Sequence, residues 1–191
     1  MTHMVLTYHR ITPEPSSYLY SVTRDQLDAH LAVVAELQDP SGPAGASPRV
    51  TFDDGHRSNY DHGLDLLAKH SLRATFFVIA GWMSARDDFM SWPELRELVS
   101  LGHEVQAHGW SHRVLPGCSA SELEDELLRS KRTMEDQLNV PVEAISIPHG
   151  RWDDRVLRAC AAAGYRRVYI SNPWMRPQQR EGVELLGRYM V

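Results

Sequence analysis

Residues 51–55 read Thr-Phe-Asp-Asp-Gly, and farther along the chain stands His108-Gly-Trp-Ser-His112. Two adjacent carboxylates and two imidazoles four apart offer oxygen and nitrogen ligands for a divalent ion, with one acid left over. Those are the parts of a metal hydrolase site. Each half is weak alone. Asp-Asp-Gly is a common turn, and with 10 His in 191 residues a pair at any one spacing arises by chance, so His108 and His112 could be surface residues. Context adds weight: Arg49-Val-Thr-Phe is a β-prone run that ends at the two acids, before Gly55. His103 to His108 likewise reads as a strand whose last residue is His108, with His112 one helical turn beyond.

The elements that must position these residues alternate along the chain. Strands are expected at Val5–His9, Arg49–Phe52, Ala74–Gly81, His103–Ala107, Ala144–Ile147 and Arg167–Ile170, with a last one over Val183–Met190. Between them, Leu27, Leu31, Val34 and Leu37 mark one face of a helix over 22–37, and 60–70 forms another. Pro93 opens a third in its first turn. Ser119-Ala-Ser-Glu carries capping-box chemistry at the start of the longest helix, whose buried stripe is Leu123, Leu127, Met134 and Leu138. A further helix over 153–163 is stopped by Gly164. Residues 39–48 are rich in breakers and read as loop, as does 172–182. Repeated β-then-α order implies a parallel sheet with right-handed crossovers. His9, Asp53, Asp54, His108, Pro148 and His149 all follow predicted strands, so a closed or nearly closed barrel of six or seven strands brings them to one rim.

Composition fits one globular domain over 1–191, with 42% hydrophobic and 24% charged residues. A net charge of −5 without a basic run argues against a nucleic-acid partner. The sequence has no transmembrane stretch and no secretory signal, which reads as cytoplasmic as written, or extracytoplasmic if a leader once preceded Met1. Cys118 and Cys160 are too few for a disulfide framework and read as buried thiols.

At these residues the chain resembles the NodB-homology polysaccharide deacetylases, carbohydrate esterase family four, whose first two motifs are Thr-Phe-Asp-Asp-Gly and His-(Ser/Thr)-x-x-His. The likeness runs on through Ala74-Thr-Phe-Phe-Val, Gly102-His-Glu-Val and Pro148-His-Gly150 to Gly164-Tyr165. Tyr8-His9-Arg10-Ile11 is similar to the exopolysaccharide poly-N-acetylglucosamine deacetylase branch. The resemblance implies a distorted (β/α)7 barrel, not necessarily fully closed, a divalent metal and hydrolysis of N-acetyl groups on amino sugars. It gives Asp54, His108 and His112 as metal ligands and Asp53 as the catalytic base that takes a proton as water attacks the acetamide carbon. The third motif, here at His149, implies a backbone N–H for the developing oxyanion.

Three departures stand out. Where many relatives have an Arg that orients the base, this chain has Ser146. Where they have a C-terminal Leu-x-His or Leu-x-x-His, it has Leu185-Leu-Gly-Arg188. Gly109 also replaces the expected Ser or Thr, removing a loop-anchoring hydrogen bond. With no His after His149, the amine's proton must come from another imidazole, from Asp53 or from water; His9 is the preferred substitute acid, or else a packed neighbour of the site. Trp110, Trp82, Trp174 and Tyr8 could wall a sugar ring or belong to the core, and His56 could touch substrate at the rim. Zinc suits the ligand set, with cobalt, nickel or iron able to take the same donors. Two other readings stay open: hydrolysis of a cyclic amide or imide, and a degenerate homologue that binds glycan without turnover.

Overall fold

The computed structural model describes residues 4–38 and 47–191; the expected loop at 39–48 lies mostly outside them, as does His3. The chain runs through β1 (Val5–Tyr8), β2 (Arg10–Thr12), β3 (Ser21–Thr23) and α1 (Arg24–Glu36) to β4 (Arg49–Phe52), α2 (Ser58–Lys69) and β5 (Ala74–Val78). Then come α3 (Trp92–Ser100), β6 (Glu104–Ala107), α4 (Ala120–Glu124), a π-helical turn (Asp125–Arg129) and α5 (Ser130–Leu138). The remainder is β7 (Ala144–Ser146), α6 (Asp154–Ala162), β8 (Arg167–Ile170), β9 (Gln178–Arg180), β10 (Val183–Gly187) and β11 (Tyr189–Met190).

Strands β1, β4, β5, β6, β7 and β8 pair in parallel in that order. The last strand completes the ring by changing partners. Val183–Gly187 pairs with β8, and Tyr189–Met190 pairs with β1 on the other side. Arg188 stands at the break, its N–H donating to Ile170 O at 3.0 Å. Among the described residues, seven staves therefore surround the interior, as the resemblance implied. The seventh is split, so no one ladder runs all the way round. The expected loop at 172–182 contains a short antiparallel edge strand, β9, and β2 and β3 form a separate parallel pair. The expected strand over 74–81 stops at Val78, where the chain turns into a short 3₁₀ helix over Ala80–Trp82, with Gly81 packed against the Trp110 backbone. A Cβ there would meet Trp110 O at 2.6 Å.

Local chemistry explains most of the helices. Capping boxes start α1 (Thr23 with Gln26), α3 (Ser91 with Glu94) and α4 (Ser119 with Glu122). Leu123, Leu127, Met134 and Leu138 are buried as their spacing predicts. The outward strand residues join the helices in one core, where Phe52 stacks on Phe76 at 5.0 Å.

The inward residues form two levels. Val5, Phe77, Ala144, Tyr169 and Leu186 make a small apolar cluster. Against it lies a buried polar group comprising Thr7, Thr51, Asp53, Ser146 and Arg188. The Arg188 guanidinium carbon lies 5.2 Å from the Phe77 ring centre and 5.8 Å from that of Tyr169, so aromatic faces support the charge from below.

Close packing fixes the approach to Arg188. A Cβ on Gly187 would lie 2.1 Å from Asn172 O and 2.8 Å from Met175 O, backbone atoms that must then shift. Gly187→Ala is expected to lower the free energy of unfolding by about 1–3 kcal/mol, measured by denaturant titration. A midpoint equal to that of the parent chain would show that the 172–175 turn moves freely.

Candidate metal centre

Both acids lie at the end of β4, but the backbone turns between them. Asp54 has φ 71° and Gly55 φ 78°, a left-handed turn that Asp tolerates better than bulky residues. Asp53 stays inside the barrel and Asp54 is brought to the mouth. His108 follows β6, its N–H donating to Val78 O at 2.8 Å, and His112 ends the next loop with φ 63°.

Nε2 of His108 and Nε2 of His112 lie 3.4 and 3.5 Å from Asp54 Oδ1. One ligand atom from each of the three residues falls within 4.8 Å of the others. Three atoms each about 2.0–2.1 Å from a shared tetrahedral ion would stand about 3.3 Å apart, so the spacing fits. Asp54 Oδ1 is also buried without a hydrogen-bond partner, a costly state for a carboxylate oxygen unless something else occupies its lone pairs. His108 Nδ1 lies 2.8 Å from the Ser146 carbonyl oxygen. A carbonyl only accepts, so Nδ1 carries the proton and Nε2 keeps its lone pair for the ion. Burial, and the neighbouring His108, push His112 down to about 4, leaving its ring neutral and able to ligate. His108 goes the other way. Burial lowers it, but the charges of Asp53 and Asp54 outweigh that and raise it.

Asp53 is held quite differently. Arg188 Nη1 donates to Oδ1 at 2.8 Å and Nη2 to Oδ2 at 2.7 Å, while Ser146 Oγ donates to Oδ2 at 2.9 Å. This is a fork-to-fork pair with the carboxylate. Arg188 also reaches Ser146 Oγ at 2.6 Å and Thr51 Oγ1 at 3.2 Å. Burial alone would raise the Asp53 carboxyl, but Arg188 and His108 hold it well below the usual carboxylate range. Three of its four lone-pair directions are taken, which leaves one to accept a proton. The residue that replaces the motif histidine thus supplies the positive charge missing at Ser146, from the other end of the chain. A charge following the apolar Leu185-Leu186 pair is the one local signal, since an arginine buried there needs a partner.

These groups open into a cavity of about 540 Å³ lined by His9, Tyr18, Tyr20, His149, Arg151 and Met190 besides the acids and imidazoles. His9 sits between β1 and β2, its carbonyl accepting a 2.7 Å hydrogen bond from Asn59 Nδ2. Its buried Nδ1 has no partner. Burial lowers its pKa, and Asp53 and Asp54 offset part of that. His149, at φ 59°, lies at the mouth with Nε2 3.2 Å from His112 O.

The four residues suggested for substrate contact lie elsewhere. Tyr8 is fully buried in the core, with its hydroxyl 3.4 Å from His30 Nδ1, so it cannot face a sugar. Trp110 stacks under Arg129 at 3.8 Å, away from the cavity lining. Trp174 is 86% exposed and outside that lining, and His56 instead bonds Ser58 Oγ at 2.8 Å and packs on Phe89. Trp82, also considered for that wall, sits against Phe89 and Arg86. The aromatic lining comes from Tyr18 and Tyr20, in a stretch with no periodic signal.

The model of the family described as polysaccharide deacetylase matches residues 45–168. A chitooligosaccharide deacetylase of Sinorhizobium fredii is 34% identical over 142 residues, 72% of this chain and 64% of its own length. A peptidoglycan-N-acetylglucosamine deacetylase of Bacillus cereus is 30% identical over 148 residues, 74% of this chain and 65% of its own. The chain thus spans somewhat less than two thirds of these relatives. Among solved structures, the Streptococcus pyogenes deacetylase PplD in complex with acetate superposes with a TM-score of 0.85 at 24% identity, covering 100% of this chain and 92% of its own. IcaB from Ammonifex degensii gives 0.81 at 22%, covering 98% and 91%.

Proposed function

The chain belongs to the polysaccharide deacetylase family, and on that premise we propose that it hydrolyses the acetamide of N-acetylated amino sugars with the help of a divalent ion. The observation that carries this is the division of labour between adjacent acids. Asp54 Oδ1 stands unpartnered before two imidazole nitrogens, whereas Asp53 is locked by Arg188 and Ser146.

Asp54, His108 and His112 would hold the ion, with zinc the best match to one carboxylate and two imidazoles and cobalt, nickel or iron able to replace it. Such an ion polarises a carbonyl and makes a water more acidic. Asp53, kept ionised by Arg188, takes the proton of the attacking water. His9 faces the same cavity and gives a proton to the departing amine. The backbone N–H of His149, a residue of the cavity wall, steadies the carbonyl oxygen as charge grows on it. Tyr18 and Tyr20 are the aromatic surfaces available to a sugar ring. No described helix is long and apolar enough to cross a membrane.

The test is acetate release from N-acetylglucosamine oligomers by chelator-treated protein before and after Zn²⁺ is restored. Turnover of small cyclic amides but no glycan would favour the ring-amide reading, and no turnover of either would favour glycan binding alone. His9→Ala is expected to lower the rate by about 10²–10⁴-fold with a changed pH profile. An unaltered rate and profile would remove His9 as the acid.

A further inference from the structure

Two metal-ligand candidates share the second motif, but they are held by different means. His108 has its ring fixed by the Ser146 carbonyl. The His112 ring has no such bond among the described residues; it faces only Asp54 Oδ1 at 3.5 Å and the rings of Trp82, His108 and His149. The place of His112 is therefore set by its backbone, which sits in the left-handed region.

The His112 carbonyl faces His149 Nε2 at 3.2 Å, and the backbone leading to it, residues 109–111, is clamped from two sides. Ala80 and Gly81 donate their N–H groups to the carbonyls of Gly109 and Trp110 at 3.1 and 2.9 Å. Opposite, Glu126 Oε2 accepts the N–H groups of Trp110 and Ser111, both at 2.9 Å, and Oε1 accepts the Ser111 hydroxyl. Glu126 is buried, while Glu124, Asp125 and Arg129 on the same turn are exposed. It shares the inward face with Leu123, Leu127 and Ser130, at a π turn over Asp125–Arg129 of a kind that often accompanies functional sites. Within that turn the Leu127 carbonyl accepts both Tyr165 OH at 3.1 Å and Ser130 Oγ at 3.0 Å. A Cβ on Gly109 would lie 3.2 Å from Glu126 Oε2. The carboxylate thus does the anchoring that a hydroxyl at position 109 would otherwise do.

We propose that Glu126 is a positioning residue for His112, so that ion affinity at this centre depends on a helix that supplies no ligand. The inference rests on the metal reading above. Zn²⁺ affinity is measured by competition with a chromophoric chelator for the parent chain, Glu126→Gln, Glu126→Leu and His112→Ala, alongside the thermal midpoint of each chelator-stripped protein. Gln keeps an oxygen for both N–H groups and can donate to Ser111 Oγ, so it should bind about as tightly as the parent. Leu fills the space without an acceptor and should bind about 10–100-fold more weakly, with a stripped-protein midpoint that still shows a folded chain. Parent-like affinity in a folded Glu126→Leu overturns the proposal, as does equal loss in Gln and Leu, which would make charge rather than anchoring decisive. If Glu126→Leu fails to fold, Ser111→Ala decides: a smaller but measurable loss of affinity at unchanged midpoint supports the proposal, and no loss overturns it. If the parent itself binds Zn²⁺ no better than His112→Ala, the metal reading falls and this inference with it.

Discussion

Asp53→Asn is expected to lower acetate release by about 10²–10⁴-fold while the protein keeps its ion. The proposed ligand atoms belong to Asp54, His108 and His112, so ion content measured by elemental analysis should not change. What disappears is the remaining acceptor site of a carboxylate that already takes hydrogen bonds from Arg188 and Ser146. The substitution also has a structural cost. An amide nitrogen would replace one acceptor with a donor facing Arg188 or Ser146, leaving a 1% exposed guanidinium without its counter-charge. Breaking a buried pair in this way costs about 3–5 kcal/mol. Full activity in this variant would end the assignment of Asp53 as base, and loss of the ion would move Asp53 among the ligands.

Arg188→Met should damage both stability and turnover, through the opposite charge. It leaves Asp53 ionised in an apolar interior, at a similar cost of about 3–5 kcal/mol near neutral pH. The pH dependence separates this from simple loss of packing. In the parent chain the folded Asp53 pKa lies below the unfolded value of about 3.9. The pair therefore contributes stability above about pH 4 and loses it as pH falls through the lower folded value. Without Arg188 burial dominates, and the folded pKa should rise above the unfolded one. Stability is then fully present below about pH 4 and declines as pH rises through the raised value. Denaturant titrations from acid to neutral pH should show opposite slopes for the two proteins, and the acid limb of the activity profile should move upward in the variant. The double variant Asp53→Asn/Arg188→Met should be more stable than either single one, because neither charge is stranded, yet remain inactive. Parallel pH slopes in the parent and Arg188→Met would show that the pair is electrostatically idle.

Much of this geometry could be read from residue order. The strand over Arg49–Phe52 and that over Arg167–Ile170 lie where their β-branched and aromatic runs put them, and the capping box at Ser119 starts its helix as expected. The convergence of His9, Asp53, Asp54, His108 and His149 on one cavity follows from parallel strands delivering their C-terminal ends to one face. What stayed hidden depends on pairing across long separations. Ser146 and Arg188 look like two missing functional groups when read in line. In space they are neighbours 2.6 Å apart, and together they hold the Asp53 carboxylate. Glu126 was equally silent: it falls on the helix's buried stripe, but a charged residue there reads as solvated until its partners at Trp110 and Ser111 are seen. The aromatic residues were misplaced for a related reason: Tyr8 and Trp110 sit beside the motifs in sequence but turn away from the cavity, and nothing local marks Tyr18 and Tyr20 as its lining.

The split seventh strand has a consequence for a chain still being made. The stretch from β4 to β8 can pair with near neighbours as it leaves the ribosome, whereas the final stave must find both the preceding strand and the very first one, the most distant pairing in the barrel. Until Arg188 emerges, Asp53 lacks the guanidinium that pairs with both of its oxygens. A nascent or carboxy-terminally trimmed chain should therefore be unable to catalyse, which would confine turnover to molecules that have finished folding.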